Sequence, residues 1–379
     1  MSERLEITRR AAAGLRKLSE SAASTPVLVG FDGFVDSIIH VVDKRTSVDA
    51  YDPIPTIDRF GQKIVAAAGQ SANFELVTTL EKLGGNGPIM ANALAAAGLD
   101  VTYIGALGYP ELHPVFADFA KRARVHSVAN PGYTDALEFA DGKLMLGKYQ
   151  HLAAMDYNAI RNVLGDESFD QTIRRSRLIG MVNWTMLTQM ESIWHRMLEV
   201  SLNGKGDRPL IFIDLADPAK RTREDIARAL GTISRLDSKA DVILGMNLSE
   251  SCQVADVLGV KVQGDPEAAI ESTCLSLREK MDIYGVVIHP RKSAAAAVRT
   301  GDGVASGRFI GPFTSKPKLS TGAGDNFNAG FCLGQLAGLG VLESVCCGTH
   351  TSGFYVRNAY SPSLTDLAAF LDDPPPAED

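Results

Sequence analysis

Short β-branched runs alternate along this chain with segments whose apolar residues recur at helical spacing. The runs expected to be strands are residues 27–31, 101–107, 178–183, 210–215, 242–246 and 286–289. Between them, residues 89–97, 190–202, 223–236 and 266–280 carry the helical period. The strand runs are almost continuously apolar rather than alternating, which predicts burial on both faces. A parallel sheet covered by helices is the architecture that provides it, an α/β fold. Ligands of such sheets sit beyond the carboxyl ends of the strands, so the residues that follow each run are the first candidates for chemistry.

Two regions interrupt the rhythm. Residues 46–60 are rich in Asp and Pro and lead into 74–80, which reads as a further strand. Residues 133–151 read as a hairpin, with 136–139 and 143–146 as its arms and Asp141-Gly142 as a strong turn signal. Strands that interrupt an α/β core form an accessory sheet, and beside a site such a sheet can act as a lid. Residues 1–24 mix charges with small apolar residues, as in an amphipathic leading helix rather than a signal peptide. The final segment, 372–379, has the composition of a disordered tail.

Composition narrows the function. The 379 residues are 45% hydrophobic and 22% charged, ordinary for a globular protein, and the net charge of -7 gives no broad footprint for nucleic acid. The basic pairs Arg174-Arg175 and Lys220-Arg221 are short and read as solvated. No run approaches the roughly 18 apolar residues that span a bilayer. The five cysteines form no CxxC pair, which argues against a disulfide framework or a zinc site and for free thiols in a reducing cytoplasm.

The most informative stretch is Ser320-Thr321-Gly322-Ala323-Gly324-Asp325, which runs into an apolar, small-residue helix. Gly322, Ala323 and Gly324 leave room for backbone N–H groups to close around an anion at a helix N-terminus. A carboxylate beside a phosphate makes chemical sense if it takes a proton from an attacking hydroxyl. The alternative is an ordinary glycine-rich turn with Asp325 as a helix cap.

Three other groups follow strand runs. Gly84-Gly85-Asn86-Gly87 opens the 89–97 helix, and Gly85-Asn86-Gly87 could begin a dinucleotide fingerprint. However, Met90 stands where its third glycine belongs, and 105–109 supply no ribose-binding acid, so the turn reads better as amides facing a hydroxyl-rich ligand. Gly30-Phe31-Asp32-Gly33-Phe34-Val35-Asp36 places two acids at the end of the first strand, where carboxylates suit a sugar diol or cap the next segment. Asn247-Leu248-Ser249-Glu250 can either order water around Mg²⁺ or form a capping box.

In this order the four groups resemble the ribokinase-like carbohydrate kinase family (phosphofructokinase B type), over about residues 27–371. The resemblance implies one ribokinase-like three-layer domain across 1–379, with a mostly parallel central sheet and a small β lid. It places a helical extension at about 1–25, lid segments at about 40–80 and 131–152, and room for a homodimer joined through the lid. It implies ATP and Mg²⁺, and a small sugar or nucleoside as acceptor, with neither nucleic acid nor membrane as partner. Matched by position, Asp325 would be the catalytic base and Gly322, Ala323 and Gly324 the anion hole. Asp36 or Asp32, with Gly84, Gly85 and Asn86, would bind the acceptor. Asn247 and Glu250 would hold Mg²⁺ through water, and Thr321 and His289 would face the nucleotide.

This chain departs from the family pattern at Ile89, where a substrate-binding Asn is usual, and at Leu319, where an acid helps hold a monovalent cation. His289-Pro290-Arg291 replaces the usual Thr-x-Gly nucleotide turn. The expectation is a kinase for a small sugar hydroxyl; a nucleoside kinase and a non-catalytic sugar or nucleotide binder are the alternatives.

Overall fold

The computed structural model describes residues 3–204, 206–375 and 378. In chain order its strands are β1 (Pro26–Phe31), β2 (Phe34–Arg45), β3 (Tyr51–Pro53), β4 (Leu76–Gly84), β5 (Asp100–Gly105), β6 (Arg124–Ser127) and β7 (Gly132–Phe139). They continue with β8 (Gly142–Lys148), β9 (Leu178–Val182), β10 (Leu210–Asp214), β11 (Asp241–Met246), β12 (Gly285–Ile288), β13 (Ser293–Thr300) and β14 (Gly303–Ile310). Nine of them form one sheet in the order β14-β13-β12-β11-β10-β9-β1-β5-β6. Every pairing from β12 to β6 is parallel; the β12–β13 and β13–β14 pairings at the far edge are antiparallel.

All six apolar runs became strands of this sheet, and the reason is visible in how they bury. Successive side chains point to opposite faces. Leu28, Ile179, Met181, Ile211, Ile213 and Leu244 fill one core, while Val27, Val29, Val101, Phe212 and Ile243 fill the other. Burying one such side chain contributes about 1.5–3 kcal/mol. An alternating polar pattern would have left one core unfilled. The mixed α/β fold expected from the sequence is therefore the fold observed.

The second sheet orders as β3-β2-β7-β8, with β4 paired to β2. The hairpin forms at the expected turn, Phe139 opposite Gly142. The small sheet reaches further toward the core than the sequence suggested, because β2 starts at Phe34. Asp36 consequently lies on β2, not at the end of the first strand; only Asp32 follows β1. The first helix spans Glu3–Ser19 and buries Ile7, Ala11, Leu15 and Leu18. Of the tail expected at 372–379, Asp372 closes the helix Leu364–Asp372, and Glu378 accepts hydrogen bonds from the Ser315 N–H and hydroxyl. Residues 376, 377 and 379 lie outside the described residues. No helix among the described residues is long and apolar enough to cross a membrane.

Candidate active site

The parallel strands deliver Asp32, Asn183, Asp214, Asn247 and His289 at or just beyond their carboxyl ends. The helix Ala323–Leu336 points its N-terminus into the same space, with Gly322 as cap residue at φ 88. A Cβ on Gly322 would be strained by that backbone and would sit 3.0 Å from Ile89 Cγ2. Of the expected cradle, Ala323 N–H turns back to Ser320 O at 3.2 Å, while the N–H groups of Gly322, Gly324 and Asp325 have no backbone acceptor among the described residues. First-turn amides of a helix are short of intrahelical acceptors, so these groups are available to a ligand.

Asp325 is buried, and the Asn86 amide donates to its Oδ1 at 2.9 Å. Burial pushes its carboxyl well above the usual range; the Asn86 bond opposes this, while the nearby charges of Asp214, Asp32 and Glu250 reinforce it. Asn86 is the first residue of the helix Asn86–Ala96, which starts three residues earlier than its apolar period indicated. Gly85 caps that helix at φ 96, a conformation open to glycine.

The two early acids have different surroundings. Asp32 has no exposed surface and accepts from Asn86 N–H (3.0 Å), Gly87 N–H (2.8 Å) and Asn183 Nδ2 (2.7 Å). Burial still raises it to about 6, against the pull of those bonds. Its lone pairs are engaged in tying the glycine turn to β1 and to Asn183. Asp36 instead lines a cavity of ≈ 400 Å³ with Phe34, Asn86, Thr134, Tyr149 and Asn183. Burial raises its carboxyl, and its cross-strand neighbours Lys82 and Thr134 favour the charged form. Gly84 lines no part of this cavity, but a Cβ there would fall 2.4 Å from the Asp36 carboxyl carbon.

Asn247 and Glu250 form the capping box: Asn247 Oδ1 accepts from Glu250 N–H at 3.0 Å, and Glu250 Oε2 from Asn247 N–H at 2.8 Å. The second Glu250 oxygen accepts from Asp217 N–H at 2.8 Å, across a loop in which Ala216 and Asp217 are both left-handed. Capping does not exhaust the motif, because both residues also line the ≈ 400 Å³ cavity. Burial raises Glu250 to about 7, with the Asp214 charge adding to it.

Asp214 is not apparent from a motif, although like Asp32 it is an acid at the end of a strand run. It accepts from Asn328 Nδ2 at 2.8 Å and Ala216 N–H at 2.8 Å, and lines the same cavity. Asp214 raises Glu250, and both raise Asp325, so buried carboxylates accumulate beside the cavity. Among the described residues no three such side chains converge to ligate a metal directly, so this set fits Mg²⁺ held through water.

A second cavity, ≈ 390 Å³, meets the first at Asn247, His289, Ser320, Ala323 and Gly324. It extends over Phe313, Gly353 and Val356. His289 stands at the junction. Its ring lies against Phe327 (centroids 4.6 Å apart), its Nε2 is buried without a partner among the described residues, and burial lowers it to about 4. Thr321 lines neither cavity; its carbonyl accepts from Tyr355 Oη at 2.9 Å.

Solved structures share this architecture. A carbohydrate kinase from Agrobacterium tumefaciens superposes with a TM-score of 0.61 at 16% identity, over 93% of this chain and 99% of that one. A fructokinase with bound ATP from Xylella fastidiosa gives 0.62 at 14%, over 92% and 98%. At these identities the likeness is one of fold, and the fold is that of the ribokinase-type kinases. A ketohexokinase of Haloferax volcanii is 29% identical over 372 residues, 96% of each chain. The sequence profile of the prokaryotic ketohexokinase family matches residues 5–374, and this chain belongs to that family. It is a carbohydrate kinase, a phosphotransferase with an alcohol group as acceptor.

Proposed function

We propose that the protein transfers the terminal phosphoryl group of ATP to a hydroxyl of a ketohexose. The observation that carries this reading is the position of Asp325: a buried carboxylate at a helix N-terminus, oriented by Asn86, that lines the polar cavity next to Gly324, where the second cavity meets it. The polar cavity suits a polyol, with Asp36, Asn86, Thr134 and Asn183 for its hydroxyls and Tyr149 against a carbon face. The other cavity suits the nucleotide, with Phe313, Gly353 and Val356 for the base and the neutral His289 Nε2 near the phosphates.

Asp325 takes the proton of the acceptor hydroxyl as its oxygen attacks phosphorus. The N–H groups of Gly324 and Asp325 face the charge that builds on the transferred group. Asn86 keeps Asp325 Oδ1 in place while Oδ2 remains for the acceptor. Asp214 and Glu250, with Asn247 beside them, are the groups that would hold Mg²⁺, which supplies charge neutralisation of the phosphate chain. The small sheet excludes water over the acceptor, so that hydrolysis does not compete. The same reading keeps pairing of two copies through that sheet, whose Leu76, Leu80, Met145 and Leu146 are exposed, and a cytoplasmic location.

The test is ADP release from MgATP with ketohexoses, aldohexoses and nucleosides as acceptors. A ketohexose should be preferred by kcat/KM at least about tenfold, a difference of about 1.4 kcal/mol in transition-state binding. Turnover of nucleosides alone, or of nothing, overturns the reading.

A further inference from the structure

At the opposite end of the sheet, where the parallel strands begin, lies another cavity of ≈ 630 Å³. Arg177, Arg208 and Tyr284, each within two residues ahead of β9, β10 or β12, line it. Arg174 and Arg175, which end the helix Asp166–Arg175, also line it, as does Gln335 from the last turn of Ala323–Leu336. The Arg174-Arg175 pair therefore does not simply project into solvent; it joins two further guanidinium groups around a concavity.

Among the described residues, Asp207 and Asp241 are the carboxylates of a lining that holds four guanidinium groups, and Asp241 is committed to Arg208 Nε at 2.8 Å. Among the described residues no carboxylate pairs with Arg175 or Arg177, and Arg177 is exposed. Arg175 and Arg124 both donate to the single Thr102 hydroxyl, at 3.1 and 3.0 Å, although Arg124 has only a 3.5 Å contact with Asp100. Two cations drawn to one neutral oxygen repel each other unless an anion lies close. The field is felt nearby: His126 is held below its ordinary pKa by burial first, then by Arg124 and Arg175.

We propose that this basal cavity is a second ligand site, which takes a phosphate-bearing small molecule on Arg175 and Arg177. Guanidinium forks match phosphate oxygens in pairs, and a dianion answers the two unpaired charges. The Tyr284 hydroxyl and the Gln335 amide are the neutral groups available to whatever carries the phosphate. The volume is that of a metabolite site rather than of a single ion. The site is separate from the active site: the helix Ala323–Leu336, about 1.5 Å per residue, lies between them with one end at each. Inorganic phosphate and a phosphorylated sugar share the recognised chemistry, and affinity distinguishes them.

The test is calorimetric titration of the full chain with inorganic phosphate and, separately, with a hexose monophosphate, at constant ionic strength. Wild type is compared with Arg175→Ala/Arg177→Ala and with Arg175→Lys/Arg177→Lys. The quantity read is the difference between wild type and variant, to which binding in the active site does not contribute. The alanine pair should weaken saturable binding at least about tenfold, and the lysine pair should recover only part of it because the forks are gone. Tighter binding of the hexose phosphate than of phosphate assigns the ligand to the sugar class; equal binding assigns it to the free anion. Should the alanine pair lower the melting temperature, Arg177→Glu, at an exposed side chain with no ion pair among the described residues, repeats the comparison. Affinities identical in wild type and variants, no saturable binding, or equal displacement by chloride at matched ionic strength overturns the proposal.

Discussion

Asn86 Nδ2 donates to Asp325 Oδ1 at 2.9 Å, so the first turns of two helices 239 residues apart in sequence are joined at their N-termini. The bond fixes one carboxylate oxygen and lowers a pKa that burial and three neighbouring acids raise. Asp325→Asn keeps the shape but cannot take a proton, so kcat should fall by about 10²–10⁴. Nucleotide affinity should hold or improve, because a repelling charge is gone. Asn86→Ala should act through the base instead: the acidic limb of the kcat–pH profile should move to higher pH, since the lost hydrogen bond favoured the ionised form. A variant at Asp325 with near-full turnover removes the base assignment, and an unmoved acidic limb in Asn86→Ala removes the positioning role.

The two early acids separate by their partners. Asp36→Ala should raise the acceptor KM or abolish turnover while nucleotide binding survives. Asp32→Ala strips the acceptor from two backbone N–H groups and the Asn183 amide, so it should mainly cost stability. A cost of about 1–3 kcal/mol per stranded buried donor sets the scale, read as a fall in denaturation midpoint. Equal and mild effects from both substitutions remove the diol-binding role of Asp36.

Gly84→Ala provides an independent check on the same carboxylate. Its Cβ would lie 2.4–2.5 Å from the carboxyl atoms of Asp36, so the acid must move. Steady-state kinetics should show the acceptor KM rising as in Asp36→Ala, with the KM for ATP unchanged. An unchanged acceptor KM means that Asp36 does not touch the sugar.

The sequence showed the central sheet well because burial on both faces leaves apolar runs that no other element explains at that length. It showed less of the small sheet: β2 carries Asp36, Ser37 and His40 among apolar residues, and its start at Phe34 was read together with the end of the first strand. The edge pair β13 and β14 was missed because four consecutive alanines, Ala294 to Ala297, carry no strand signal and are buried only through tertiary packing. Cavity-lining residues that share one motif, such as Gly322 to Asp325, stood out together in the sequence. Asn183, Thr134 and Asp214 were not singled out, since each reaches the cavity from a different strand and has no local companion. That Ala323 N–H turns back to Ser320 O rather than into the cavity depends on one turn bond, which spacing alone does not encode.

Glu250 separates capping from metal binding through pH. Its folded pKa is raised to about 7 from an ordinary 4.5, so between those values the folded protein retains a proton that the unfolded chain has released. Stability from this group is therefore present at low pH and lost as pH rises through that window. At about 1.4 kcal/mol per unit, the loss is up to about 3 kcal/mol. Glu250→Gln cannot ionise, so its melting temperature should fall less than that of wild type between pH 5 and 7.5, both proteins being free of ligand. Because a bound cation favours the charged carboxylate, wild type should gain more from Mg²⁺ with a non-hydrolysable ATP analogue at pH 7.5 than at pH 5, and the variant should not. The Mg²⁺ concentration for half-maximal turnover should rise in Glu250→Gln. If the variant keeps the wild-type Mg²⁺ requirement and only loses stability, by the roughly 0.5–2 kcal/mol of a disturbed cap at every pH, Glu250 is a capping residue and holds no metal.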